Sequence, residues 1–213
     1  KTGDVLAYIG SSGDLSSARD VDGVHSKRQG GSILKPFLYA LAIEKRLLTA
    51  ASLIDDTPLD IPVYGGVYRP KNYDSNFNGT VTLRTALASS LNVPAVKTLQ
   101  LLSIESFLQR LKELGIDGLN EAPDFYGPSL ALGSADVSLW ELTNAYRILA
   151  NGGLWNEMRL TFDEPVNPVR KDEALPRYKI AGFSHGVNES HRRIFNRETS
   201  FIISDILSDR VAR

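Results

Sequence analysis

Apolar residues early in the chain repeat with the period of a helix. After Ser32 they recur at the spacing i, i+3, i+4 and i+7, and they are Leu34, Phe37, Leu38 and Leu41. This spacing is typical of a helix with one face in a core. Pro36 falls in the first turn, where its missing N–H costs little, so we expect the helix to begin close to Ser32.

A second helix is predicted from Thr82 to Ser90. Its apolar stripe of Leu83, Ala86 and Leu87 continues at i+7 to Ser90. Ser90 is therefore expected to point into the molecule.

Start and stop signals predict four more helices, which begin just after Asn92, at Ser103, at Ser138 and around Glu198. The second of these is expected to stop at Gly115, and the third at residues 151–153. Ser138 and Glu141 have the spacing of a capping box.

Outside the helices, the pattern predicts a strand and two irregular segments. Val5–Ile9 has the length and content of a buried strand. Residues 11–31 are rich in Ser, Gly and Asp without periodicity, which indicates an exposed loop. Residues 157–193 mix prolines, charge and short apolar pieces, which suggests a loop or weak hairpins inside a single domain, residues 1–213.

Composition narrows the class of protein. With 213 residues, 42% of them hydrophobic and 23% charged, the chain is expected to form one globular domain. A net charge of −1 argues against a nucleic-acid partner or an anionic membrane surface. No apolar run approaches the roughly 20 residues needed to span a bilayer, so any anchor is expected outside this chain. There is no cysteine, which excludes a thiol nucleophile and a Cys-ligated metal but leaves the cellular compartment open.

Ser32 and Lys35 form the first candidate for chemistry. A hydroxyl and an amine three residues apart at a helix start lie on one face, about one turn apart. Serine is a weak nucleophile at neutral pH, and a lysine accepts its proton only when uncharged, which requires burial or a nearby positive charge. The alternative is an ordinary helix cap followed by a surface lysine.

Ser90 and Asn92 form the second candidate, a Ser-x-Asn triplet at a junction between two predicted helices. Ser90 could relay a proton to a leaving amine, and Asn92 could bind an extended peptide substrate through its carboxamide. The alternative is that Asn92 merely caps the helix that Pro94 begins.

Together these motifs resemble those of the penicillin-binding proteins and serine β-lactamases, whose signature is S-x-x-K with S-D-N and K-T-G. In this chain Leu91 stands in the middle position of the second triplet, and Asn92 in its third. The resemblance runs through most of the chain in order, and its other landmarks are residues 28–37, 68–73, 82–87, 130–134 and 144–153. It is closest to the transpeptidase part of the bifunctional class A enzymes. The implied fold is α/β, a penicillin-binding transpeptidase fold with a helical lobe packed on an antiparallel sheet that begins at Val5–Ile9.

The resemblance implies a serine D,D-transpeptidase that needs no cofactor or metal. Ser32 would be acylated, Lys35 would accept its proton, Ser90 would relay a proton and Asn92 would bind substrate. The implied partners are peptidoglycan stem peptides ending in D-Ala-D-Ala and β-lactam antibiotics. The parent protein would be anchored on the periplasmic side of the inner membrane, with a glycosyltransferase domain upstream.

The third motif departs from the family pattern. No K-T-G triplet follows Asn92, and Lys1-Thr2-Gly3 precedes the nucleophile and is interpreted as coincidental. We therefore expect the chain to stop before the K-T-G strand, so the fold would be incomplete at its C-terminus and this fragment could be inactive.

Two other functions share the resemblance. A serine β-lactamase would need a glutamate for hydrolysis, but the nearest string, residues 141–144, is interpreted as helix. A non-catalytic penicillin-binding sensor or scaffold could keep the pocket without turnover.

Other polar and aromatic residues receive no catalytic role. The histidines are interpreted as solvated because their spacing does not suggest a metal, and they are His25, His185 and His191. Tyrosines at 64, 68 and 73 are expected to pack over a groove rather than to stack on nucleic acid or sugar.

Overall fold

The computed structural model describes residues 3–15, 17–160 and 192–212. Its α-helices are α1 (Lys35–Glu44), α2 (Leu83–Ala88), α3 (Asn92–Leu102), α4 (Ile104–Glu113), α5 (Pro123–Tyr126), α6 (Leu139–Ala150) and α7 (Arg197–Ser208). Short 3-10 helices cover Gly13–Leu15, Gly31–Leu34 and Pro128–Leu132. The strands are β1 (Arg28–Gln29), β2 (Leu53–Asp56), β3 (Ile61–Val63), β4 (Gly66–Tyr68), β5 (Gly79–Thr82), β6 (Asp136–Val137), β7 (Leu154–Trp155) and β8 (Arg192–Arg193).

Helix α1 is the centre of the core. Every residue from Lys35 to Ala42 is buried, and the helix packs against α3, α4 and α7. The predicted helix is confirmed, but burial of one face only is wrong. Residues 37–42 are apolar all round the helix, so neighbouring elements can cover it on every side.

Side-chain caps fix the starts of four helices. Thr82 accepts from the Thr85 N–H, Ser103 from the Ser106 N–H and Asn196 from the Thr199 N–H. Ser138 and Glu141 form the predicted capping box of α6. Such caps satisfy backbone donors that no helical carbonyl can reach, which explains why these boundaries could be predicted.

The described strands form four separate antiparallel pairs. Strand β2 pairs with β5, and β3 forms a hairpin with β4. The pair β1–β6 lies beside the start of α1, and β7 pairs with β8 below the end of α6. The candidate site lies where β1 leads into α1, next to the junction between α2 and α3.

The predicted strand Val5–Ile9 is wrong. Only a single bridge forms there, in which Val5 and Gly3 exchange backbone hydrogen bonds with Arg159 at 2.8 Å each. Leu6 and Ile9 remain 94% and 80% exposed. A strand requires a partner ladder, and the described residues supply one only at this bridge.

Some predictions lie outside the described residues. These are Lys1 and Thr2, His185 and His191, and most of the loop predicted at 157–193. Among the residues that are described, none of the helices combines the length and the apolar character needed to cross a bilayer.

Candidate active site

Ser32 lies in the 3-10 turn Gly31–Leu34, which joins β1 to α1. The Lys35 N–H donates to the Ser32 carbonyl, so the turn runs directly into the helix as predicted. Of the residues that the structure describes, none forms a hydrogen bond with the Ser32 hydroxyl. Ser32 is exposed among the described residues.

The loop around Gly133 holds one side of this turn. The Gly31 N–H donates to the Gly133 carbonyl and the Gly30 N–H to the Ala135 carbonyl, both at 2.9 Å. A Cβ on Gly133 would lie 2.0 Å from the Gly31 oxygen, and Gly133 has φ +78°. Only glycine permits this backbone approach, which explains the Leu-Gly-Ser landmark at 132–134.

Helix α6 holds the other side. The Tyr146 hydroxyl donates to the Ile33 carbonyl at 2.8 Å, and its ring packs edge-on against Phe37. The Ser32 turn is thus fixed from two directions.

Lys35 is a buried amine, 1% exposed, rather than a surface lysine. Its Nζ donates to the Ser90 carbonyl at 2.6 Å, the Asn92 Oδ1 at 2.7 Å and the Ser90 Oγ at 3.2 Å. Among the described residues no carboxylate forms an ion pair with it. Burial lowers the pKa of Lys35 from 10.5 to about 8, because the charged form loses its hydration.

Ser90 does not lie on the predicted helix. Helix α2 ends at Ala88, and Ser90 adopts φ +54° in an exposed position just beyond it. The Ser90 N–H bonds to the Leu87 carbonyl and the Leu91 N–H to the Ala86 carbonyl, a helix end that normally carries glycine. This geometry, rather than the helical periodicity, turns the Ser90 carbonyl and hydroxyl toward Lys35.

Asn92 does not cap α3. The capping position is Leu91, and no side chain there bonds to the helix start. Instead the Asn92 Nδ2 donates to the Lys71 carbonyl at 2.7 Å while its Oδ1 accepts from Lys35. The structure therefore joins three of the four predicted site residues, with Ser32 one short turn before Lys35.

Two residues behind this site were not predicted from the sequence. Asp56 and Asn72 are buried, and Asn72 accepts from the Asn92 N–H at 2.8 Å. The burial of β2 alternates, so that Asp56 lies in phase with buried Ile54. The sequence Leu53-Ile54-Asp55-Asp56 does not itself alternate between apolar and polar residues, so it carried no periodic signal for an inward carboxylate.

Glu141 caps α6 and pairs with Lys27, so the string 141–144 is helix as predicted. Tyr68 is half-buried against the core, but Tyr64 and Tyr73 are fully exposed, so the packing prediction is wrong for those two. His25 is also not fully solvated: its ring lies 5.4 Å from that of Trp140, and its Nε2 is buried. Among the described residues there is no group of three or more potential metal ligands.

The fold and the site define the class of this chain. It belongs to the penicillin-binding protein transpeptidase domain family, whose model matches residues 1–213.

Individual relatives place it near the class A members of that family. The chain is 37% identical to penicillin-binding protein 1C of Escherichia coli (strain K12) over 167 residues, which is 76% of this chain and 21% of that protein. It is 34% identical to penicillin-binding protein 1A of Neisseria gonorrhoeae over 156 residues, or 72% of this chain and 19% of that protein. The chain thus matches about a fifth of the length of these curated relatives.

Solved structures have the same fold. Penicillin-binding protein 1A from Haemophilus influenzae superposes with a TM-score of 0.69 at 27% identity, covering 90% of this chain and 32% of that one. The transpeptidase domain of Burkholderia pseudomallei penicillin-binding protein 3 gives a TM-score of 0.63 at 17% identity, covering 86% of this chain and 54% of that one. The second likeness concerns the fold alone.

Proposed function

We propose that this chain is the serine acyltransferase part of a peptidoglycan D,D-transpeptidase, with Ser32 as its nucleophile. The observation that carries the proposal is the environment of Lys35. A buried amine with a pKa of about 8 and no carboxylate partner among the described residues lies one turn from a serine hydroxyl, inside a member of a transpeptidase family. An amine of this kind is uncharged often enough near neutral pH to accept a proton.

The first half of the reaction acylates Ser32. The Ser32 Oγ attacks the carbonyl carbon of the penultimate residue in a stem peptide ending in D-Ala-D-Ala, and its proton passes to uncharged Lys35. The tetrahedral intermediate then collapses, the peptide C–N bond breaks, and terminal D-Ala leaves as an amine. Ser90 lies 3.2 Å from the Lys35 Nζ, so it can pass the proton on to that leaving nitrogen.

The second half transfers the acyl group. An amine from a neighbouring stem peptide attacks the Ser32 ester, gives up a proton, and releases the serine hydroxyl. The Asn92 Nδ2 uses one hydrogen to donate to the Lys71 carbonyl, and the Asn92 Oδ1 accepts from Lys35. Asn92 binds the peptide through the second hydrogen of Nδ2. A β-lactam enters at the first half and leaves a covalent acyl-Ser32.

The class A relatives support a proposal about the setting of this chain. We propose an extracytoplasmic location, on a parent protein anchored in the membrane with a glycosyltransferase domain upstream. A K-T-G strand outside residues 1–213 would complete the oxyanion hole and bind the substrate carboxylate.

Mass spectrometry of the full-length protein after incubation with penicillin tests the assignment. The expected result is one penicilloyl adduct on Ser32, which disappears in Ser32→Ala and persists in the control Ser89→Ala, an exposed neighbour of Ser90. An adduct on another residue, or none, would remove Ser32 as the nucleophile.

The lifetime of the adduct and turnover of a stem peptide separate the related functions. A stable adduct with release of D-Ala supports transpeptidation. Rapid hydrolysis of the adduct would indicate a β-lactamase, and a stable adduct without turnover of peptide would indicate a penicillin-binding sensor.

A further inference from the structure

A buried carboxylate lies behind the candidate site, and its bonding partners are neutral. Asp56 is 0% exposed at the end of β2. Its two oxygens accept from the Asn72 Nδ2 at 2.9 and 2.8 Å, and its Oδ2 also accepts from the Asn78 N–H at 2.9 Å and the Asn78 Nδ2 at 2.7 Å. Among the described residues no cation forms an ion pair with Asp56. Burial of a carboxyl group without a cationic partner costs stability.

The carboxylate determines which way the Asn72 amide faces. Both Asp56 oxygens accept hydrogen bonds here, and Asn72 presents its NH₂ group to Asp56 and to the Asn76 carbonyl, 2.8 Å away. Its oxygen is then forced to the opposite side. There it accepts from the Asn92 N–H at 2.8 Å, a donor at the start of α3 that no helical carbonyl can satisfy.

The same logic continues to the amine. The Lys71 carbonyl can only accept, so Asn92 turns its NH₂ group to Lys71 and its oxygen to Lys35. Lys71 and Asn72 are adjacent, so a single short segment fixes both the backbone and the side chain of Asn92. In this series of hydrogen-bonded groups, the orientation of each amide depends on the group that precedes it.

We propose that Asp56 and Asn72 are positioning residues for acylation, which hold Asn92 and through it the Lys35 amine in the reactive arrangement. The proposal rests on the function assigned above to Ser32 and Lys35. Asp56 touches neither substrate nor Ser32 in this account. It acts by fixing the Asn72 amide.

Asp56→Asn is the direct test. It keeps the shape of the side chain but replaces one accepting oxygen by an NH₂ donor. Whichever way the new amide turns, its NH₂ group faces a donor of Asn72 or Asn78. Asn72 then loses one of the two acceptors that hold its NH₂ group in place and keeps only the Asn76 carbonyl, so its amide is less firmly oriented toward the Asn92 N–H. We expect the rate of acylation by a fluorescent penicillin, measured on the full-length protein by stopped flow, to fall by about 10- to 100-fold.

Two measurements separate positioning from loss of fold. If Asp56 positions the amine, the saturating amount of label per molecule stays near that of the wild type while the rate falls. If Asp56 only supports the fold, the labelled fraction falls and the surviving molecules react at the normal rate. That second pattern, or labelling at the wild-type rate, would overturn the proposal.

Asn78→Ala is the matched control. It removes one side-chain donor from Asp56 but leaves both Asn72 bonds in place, so the Asn72 amide keeps its orientation. We expect a loss of stability but a labelling rate within about threefold of the wild type, since the chain to Lys35 is intact. Equal slowing by Asn78→Ala and Asp56→Asn would contradict the orientation argument.

A thermodynamic cycle tests the coupling between Asp56 and Asn92 without any labelling. It still applies if the wild type takes no label, a result that would refute the proposed function. Unfolding equilibria of Asp56→Asn, Asn92→Ala and the double variant are compared. We expect the change in the unfolding equilibrium constant of the double variant to differ from the product of the two single changes by at least about threefold, because the two residues belong to one hydrogen-bond network. Independent effects that multiply within about twofold would refute the coupling.

Discussion

The pH dependence of acylation follows directly from the burial of Lys35. With a pKa of about 8, the amine is uncharged in about a tenth of the molecules at pH 7, in half at pH 8 and in about nine tenths at pH 9. An ordinary lysine with a pKa of 10.5 would be uncharged in only about one molecule in three thousand at pH 7. The acylation rate should therefore rise about tenfold from pH 7 to pH 9 and then level off.

Stopped-flow labelling with a fluorescent penicillin from pH 6 to pH 10 measures this profile. Lys35→Arg should abolish the rise and slow labelling by at least about 100-fold, because a guanidinium stays charged at every pH in the range. The exposed Lys45→Arg, which changes the same functional group away from the site, should leave the profile unchanged. A rate that does not change between pH 7 and pH 9, or a midpoint near 10.5, would refute the reasoning.

The same shift has a consequence for stability. Between pH 8 and pH 10.5 the unfolded chain binds a proton at Lys35 that the folded chain does not, so stability rises with pH through this window. The contribution is about 3 kcal/mol, present in full above the unfolded pKa and lost as the pH falls to the folded pKa. Urea unfolding of the wild type and of Lys35→Met across this range measures the contribution. The free energy of unfolding should rise with pH more steeply in the wild type than in Lys35→Met.

Two further substitutions probe the support of the site. Gly133→Ala should destabilise the fold by more than about 2 kcal/mol in urea unfolding, because its Cβ meets the Gly31 backbone. The control Gly65→Ala, at φ +83° with open space around it, should cost only about 1 kcal/mol. Equal costs for the two substitutions would contradict the role of the Gly31 contact. Burial raises the pKa of Glu141, but Lys27 and the backbone donors of Ser138 and Asp117 outweigh it and hold that pKa below its ordinary value. Glu141→Gln should therefore cost about 1–3 kcal/mol at pH 7, less as the pH falls through the folded pKa, with acyl-enzyme lifetime unchanged; a longer-lived adduct would instead indicate a role in hydrolysis.

The helices could be predicted because their signals are local. Ser103, Ser138 and Gly115 set boundaries through bonds to residues only a few positions away, and the structure confirms them. The family fold and the proximity of Lys35, Ser90 and Asn92 were expected from motif order. The roles of these residues in acylation stay a prediction.

The errors concern features that depend on distant partners. The apolar run Val5–Ile9 has strand composition, but pairing depends on what lies beside it. Ser90 appeared to continue a helical stripe, yet the helix ends before it. Asp56 and Asn72 were missed because their importance comes from contacts across 16 and 20 residues, which periodicity cannot show.

The burial of every residue from Lys35 to Ala42 in α1 limits how this site can change. Lys35, the proposed proton acceptor, is also a structural part of the protein interior, in a stretch of helix that is buried on every side. Moving the Lys35 amine would require the core around α1 to repack. Variation in reactivity toward antibiotics should therefore arise in the segments that border the groove, where a substitution can alter access and leave the reacting groups in place.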